Sequence, residues 1–128
     1  MRSRQKALRL ADFAKAKKAE DIVILDMRKL SNVTDFSVLV TASSTRRAQA
    51  ITDNIETALL EMKEPISDIE GYKEAEWILL DGYDVVVHVF NDELRKFYNL
   101  EGLWSKAKRI KLCQKKKQKL LKKTSKRK

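Results

Sequence analysis

The chain has 128 residues, with 28 Lys and Arg against 18 Asp and Glu, a formal charge of +10, one His and one Cys. That length suits one small domain, and the Cys and His counts exclude a disulfide framework, a Cys-x-x-Cys site and a His-rich metal site. No apolar run exceeds four residues, so no helical bilayer span is encoded.

In chain order, Ser3 is placed to cap a helix over residues 5–18, with Ala7, Leu8, Ala11 and Ala14 recurring at 3.6-residue spacing. Residues 22–25 form a short continuous apolar run, the pattern of a strand buried on both faces. Phe36, Val38 and Val40 alternate with Ser37, Leu39 and Thr41 in a second strand. Ser43, Ser44 and Thr45 open a long helix with an apolar stripe of Ala48, Ile51, Ile55, Leu59 and Met62, closed by Pro65. Residues 66–70 are a weaker strand candidate. Residues 77–80 and 85–90 read as strands joined by the turn Asp81-Gly82-Tyr83-Asp84, with Gly82 expected at positive φ. Asn91 is an expected N-cap for a helix whose apolar side is Leu94, Phe97 and Tyr98. This order predicts a mixed α/β domain, a sheet of about five strands sandwiched by helices.

The positive charge is unevenly spread. Residues 1–18 hold seven basic side chains and one acidic, residues 19–104 hold 8 and 17, and residues 105–128 hold 13 and none. The expected organisation is therefore a domain over residues 1–104, acidic after its basic start, and a basic C-terminal tail over residues 105–128 whose composition predicts disorder. A cytoplasmic, reducing location is the default. The tail suits a polyanion such as ribosomal RNA, with Lys115, Lys116, Lys117, Lys119, Lys122 and Lys123 as candidate contacts. A solubilising extension, a nuclear-localisation signal or a patch for acidic membranes fits the same composition.

The catalytic inventory is thin. His88 shares a strand face with Val86 and Phe90, where a packed core or edge role is the ordinary one and a contact role the alternative. The acidic pairs Asp68/Glu70 and Glu74/Glu76 are near chance in so acidic a segment, and Gly71, Gly82 and Gly102 are too scattered for a phosphate loop. No catalytic residue, cofactor or metal is assigned. Arg46 and Arg47 oppose the dipole in the first turn of the long helix, which reads either as solvated cations pairing with acids or as part of a contact surface over residues 43–47 for a partner or phosphate. Trp77, Tyr98, Leu100 and Trp104 are of the kinds enriched at interface hot spots.

Two stretches carry a resemblance to a known family. KAEDIVILDMRKLSNVTDFSVLVTASSTRR and EGYKEAEWILLDGYDVVVHVFNDELRKFYNLEGLW together resemble the ribosomal silencing factor, or Iojap, family over about residues 5–104. The resemblance implies a nucleotidyltransferase-like α/β fold without that class's catalytic acids. It also implies a non-enzymatic translational repressor that binds ribosomal protein number fourteen of the large subunit and sterically blocks subunit joining. Trp77, His88, Tyr98, Leu100, Trp104, Ser44 and Arg46 match the family's pattern and become the candidate partner-binding residues. Homodimerisation stays open. Gly82 and Tyr83 stand exchanged relative to the family's Asp-x-Gly-Asp hairpin, and the tail beyond Trp104 is unusually long. The competing readings are a nucleotidyltransferase-like enzyme, which needs convergent acids in a cleft, and an RNA-binding module led by the tail.

Overall fold

The structure, a computed structural model, describes residues 2–112. Its elements are α1 (Ser3–Ala16), β1 (Glu20–Asp26), β2 (Phe36–Thr41), α2 (Thr45–Glu61), β3 (Asp68–Glu70), β4 (Trp77–Gly82), β5 (Val85–Phe90), α3 (Asp92–Tyr98), α4 (Leu100–Leu103) and β6 (Lys108–Ile110). Six strands form one sheet in the order β3-β4-β5-β2-β1-β6. Only the central pair, β2 and β5, is parallel; the other neighbours run antiparallel.

Strand alternation sends side chains to two cores. On one face Ile24, Phe36, Val38, Val40, Ile78, Leu80, Val85, Val87 and Val89 meet the apolar sides of α1 and α2, including Leu10, Ile51, Ile55 and Leu59. These side chains are at most 1% exposed, and full burial of one such group stabilises the fold by about 1.5–3 kcal/mol. On the other face Leu25, Met27, Leu39 and Phe90 pack with Trp77, Leu94, Leu100, Trp104 and Ala107, so α3 and α4 cover part of it. The sheet is thus sandwiched by helices, as expected, with a sixth strand beyond the five read from the sequence.

That sixth strand moves the expected tail boundary. Lys108–Ile110 pairs with β1 through Ile24↔Ile110, Leu25↔Arg109 and Asp26↔Lys108, and Leu112 packs against the first core. Residues 108–112 therefore belong with the domain. Their charged composition hid this, because the strand is held by pairing to β1 rather than by its own apolar pattern. The tail candidates Lys115, Lys116, Lys117, Lys119, Lys122 and Lys123 lie outside the described residues.

Three local expectations are corrected. Ser3 is the first residue of α1, and Arg2 is its N-cap without a side-chain bond. The Ser3 hydroxyl instead bonds to carboxylate oxygens of Asp35 at 2.7 Å and Asp84 at 2.8 Å. In the β4–β5 turn the left-handed residue is Tyr83, at φ 71°, not Gly82. Gly82 is the last residue of β4, paired with Val85, and a Cβ there would stand 3.0 Å from the Val85 carbonyl oxygen and 3.6 Å from Lys6 Nζ. Phe97, read as part of an apolar helix side, is 78% exposed.

Lys6 is the buried charge of the first core, 1% exposed. Its Nζ donates to the Gly82 carbonyl at 2.8 Å and Asp84 Oδ1 at 2.7 Å, and lies 3.1 Å from Glu64. Burial would push the Asp84 carboxyl up, but hydrogen bonds from Lys6 and Ser3 outweigh it and hold the group below its ordinary value. The network ties α1 to the β4–β5 hairpin and to the chain leaving α2.

Candidate functional site

Five aromatic rings gather on the second face of the sheet. Trp77 opens β4 directly opposite Phe90, and His88 lies opposite Leu79 on the neighbouring strand. Trp77 and His88 therefore stand diagonally across the strand pair, within reach of long side chains. The Trp77 indole Nε1–H donates to His88 Nδ1 at 3.2 Å. Ring centroids are 5.5 Å apart for Trp77 and Phe90, 4.8 Å for Trp77 and Tyr98, and 6.0 Å for His88 and Trp104. Those separations and tilts are in the attractive range for aromatic pairs, each worth about 0.5–1.5 kcal/mol beyond burial.

His88 is 5% exposed, and this desolvation lowers its pKa from 6.5 to about 4. The ring is neutral at physiological pH. Because Nδ1 accepts from Trp77, its proton sits on Nε2. His88 thus acts on the face indirectly, by fixing the tilt of the Trp77 indole.

The helices that frame the face are set by local chemistry. Asn91 caps α3, its Oδ1 accepting from the Leu94 amide at 2.7 Å. Asn99 ends α3 in the left-handed conformation, φ 45°, and also starts α4, accepting from the Gly102 amide at 3.1 Å. A Cβ on Gly102 would lie 2.3 Å from the Asn99 side-chain nitrogen, so a larger residue there would displace the Asn99 side chain that caps α4. This tight connection places Tyr98, Leu100 and Trp104 on one sheet face. Arg95 locks it from beneath, 7% exposed, donating to Thr41 Oγ1 at 2.9 Å, Glu101 Oε1 at 3.0 Å and the Asp21 carbonyl. Its guanidinium also lies 5.8 Å from the Phe90 ring centroid.

Of the candidate residues, the fold brings Trp77, His88, Tyr98, Leu100 and Trp104 together. Tyr98 is 50% exposed, whereas Trp77, Leu100 and Trp104 are half-buried. Beside them, Phe97 and Leu103 are 78% and 71% exposed. Ser44 and Arg46 are not part of this cluster. Ser44 is the N-cap of α2, accepting from the Arg47 amide at 3.0 Å, and Arg46 is exposed in the first turn with no ion pair among the described residues. Phe90, Arg95, Phe97 and Leu103 are the members that sequence reasoning missed. The Trp77↔Phe90 pairing was the available signal for Phe90, since both residues face one side of adjacent strands.

The acidic pairs do not converge. Asp68 and Glu70 lie on the short edge strand β3, and Glu74 and Glu76 are exposed before β4. Among the described residues no group of three His, Cys, Asp or Glu side chains is placed to hold a metal ion. No described helix is long and apolar enough to cross a membrane.

A family model described as ribosomal silencing factor during starvation matches residues 1–128. The chain belongs to the ribosomal silencing factor family. It is 40% identical to the ribosomal silencing factor RsfS of Halalkalibacterium halodurans over 111 residues, covering 86% of this chain and 95% of that one. Identity to the Bacillus subtilis RsfS is 43% over 91 residues, covering 71% and 77% of the two chains. A crystal structure of a protein from Chromobacterium violaceum superposes with a TM-score of 0.79 at 30% identity, covering 88% of this chain and 93% of that one. In this silencing factor domain the aromatic face is the feature that combines preorganised rings with open apolar surface.

Proposed function

We propose that this protein represses translation by occupancy: the aromatic face docks on ribosomal protein number fourteen of the large ribosomal subunit in the cytoplasm, and the bound domain blocks subunit joining. The observation that carries the reading is the packed set of Trp77, His88 and Trp104, with Trp77 hydrogen-bonded to His88, next to the exposed Tyr98, Phe97 and Leu103. Rigid aromatic anchors beside exposed apolar side chains are what a hot-spot interface needs, because little conformational entropy is lost on binding. The rim carries exposed Glu76 and Glu93, with Asp92 paired to Lys96 at 3.0 Å, and the Asn91 amide is bonded to the Glu76 carbonyl at 3.1 Å. Acidic surface suits a basic ribosomal protein and raises the association rate. No bond is made or broken in such a mechanism, so no catalytic group is required.

The test is co-sedimentation of the full chain with purified large subunits. Trp77→Ala and Tyr98→Ala are each expected to weaken pelleting by about thirtyfold, the effect of losing about 2 kcal/mol at a hot spot. Val33→Ser, at a residue 82% exposed in the β1–β2 loop, is expected to pellet normally. Unchanged pelleting of both aromatic variants would overturn the reading.

A further inference from the structure

The second feature with an unassigned purpose lies at the other end of the strands from Trp77 and Phe90. The last residue of β1, Asp26, pairs with Lys108 of β6, and the chain on either side builds a cavity of about 540 Å³ lined by Asp26, Arg28, Lys29, Leu30, Lys106 and Lys108. Four of these six residues are cationic. The one carboxylate is already committed: Arg28 donates to Asp26 Oδ1 at 2.9 Å and to Oδ2 at 2.6 Å. Lys29, Lys106 and Lys108 are exposed and make no salt bridge within 4 Å among the described residues, though the Lys108 charge helps lower the Asp26 pKa. Arg28 is also held 5.1 Å from the Phe36 ring centroid, and it lines a neighbouring cavity of about 610 Å³ with Arg2 and Arg4. Cations therefore continue past Arg28 towards the start of α1, with the Asp35 carboxylate, bonded to Ser3, among them.

Crowding unpaired cations on one end of a domain whose residues 19–104 are net acidic raises the energy of the isolated protein. An external polyanion relieves that repulsion and releases its own counterions. Cations gathered around a cavity suit a chain of phosphates that can enter it. From Leu112 the polypeptide continues into residues 113–128, which carry nine further cations and no acid. Trp104 of the aromatic face precedes Lys106 by two residues, so the two surfaces are joined through the turn that follows α4.

We infer that the Arg28–Lys29–Lys106–Lys108 groove binds the phosphodiester backbone of RNA. The choice of RNA over other polyanions rests on the ribosome reading above, and the groove itself rests on the residues just named. Binding here is independent of base sequence, since lysines and an arginine reaching phosphates carry no base information. Attached alongside a protein contact, it adds a second tether and raises avidity.

The experiment uses the full chain and a fluorescein-labelled 20-base-pair RNA duplex of arbitrary sequence, with anisotropy titrations from low to moderate salt. Lys29→Gln, Lys106→Gln and Lys108→Gln combined are expected to flatten the log–log salt slope by about 2.7, the loss of three phosphate contacts, and to weaken binding roughly hundredfold at about 0.1 M salt. The control, Lys17→Gln, Lys18→Gln and Lys73→Gln combined, removes the same charge from exposed positions outside the groove and is expected to change the slope by less than about 1. Circular dichroism verifies that both triples are folded. Equal losses in the two triples would overturn the proposal, because binding would then follow net charge and not the groove. So would groove-dependent binding to vesicles of one part phosphatidylserine to three parts phosphatidylcholine without groove-dependent binding to RNA. Naked RNA is used so that the result does not depend on the protein contact. If Trp77→Ala leaves ribosome pelleting unchanged while the groove triple loses RNA, the docking reading fails and the groove assignment holds.

Discussion

Replacing His88 with Gln is expected to remove the pH dependence of stability that burial of its imidazole creates. In the native protein His88 is neutral down to about pH 4, whereas in the unfolded chain it protonates near 6.5. Between those values the unfolded state binds one more proton than the native state, so stability falls as pH falls. At 1.36 kcal/mol per pKa unit the full displacement amounts to about 3 kcal/mol, lost progressively from about pH 6.5 to pH 4. Asp26 and Asp84 act in a different window. Their native pKa values are lowered, so their contribution is present above the ordinary carboxylate value and is lost only at more acidic pH. His88 is the single histidine in the chain, which makes the assignment unambiguous. Guanidinium unfolding followed by tryptophan fluorescence, at several pH values from about 7 to 4.5, gives the wild-type loss. His88→Gln keeps an acceptor for the Trp77 indole, and its curve is expected to lie flatter by about 2–3 kcal/mol over that range. A native His88 resonance that titrates near pH 6.5 by NMR, or equal pH dependence in the two proteins, would refute the desolvation argument.

Lys6→Met should destabilise the fold by about 2–3 kcal/mol at neutral pH in urea unfolding, towards the low end for a broken buried pair because Asp84 and Glu64 are partly solvated; a change under about 1 kcal/mol would mean that the Lys6 network is dispensable. Tyr83→Asn should raise stability by about 0.5–1 kcal/mol in the same assay, since Asn tolerates the left-handed φ of 71° that Tyr83 is forced to adopt. Phe97→Ser with Leu103→Ser should leave the unfolding midpoint nearly unmoved, as expected for exposed positions. The same double variant should reduce pelleting with large subunits at least tenfold, and normal pelleting would remove these two residues from the docking face.

The strands and long helices were legible because their signals are local: alternation in β2, a continuous apolar run in β1 and a 3.6-residue stripe in α2. The assembly of Trp77, His88, Tyr98, Leu100 and Trp104 was legible through family resemblance, and strand parity placed His88 with Phe90. What escaped was set by tertiary pairing. β6 has no apolar pattern of its own and exists because β1 offers an open edge. Arg95 reads as an ordinary helix cation until Thr41, Asp21 and Glu101 close around it. Tyr83 takes the left-handed turn position, while Gly82 sits in β4, where a Cβ would stand 3.0 Å from the Val85 carbonyl oxygen. The cationic groove is split between residues 28–29 and 106–108, so no linear window reveals it.

The sheet also dictates an order of assembly. Its last described strand, β6, seals the outer side of its first, β1, and Trp104 and Ala107 reach the second face only with that returning segment. During synthesis the N-terminal strands must wait with one edge bare and one core uncovered until residues near 110 have left the ribosome. A chain in which that segment is not yet in place therefore lacks the completed aromatic face.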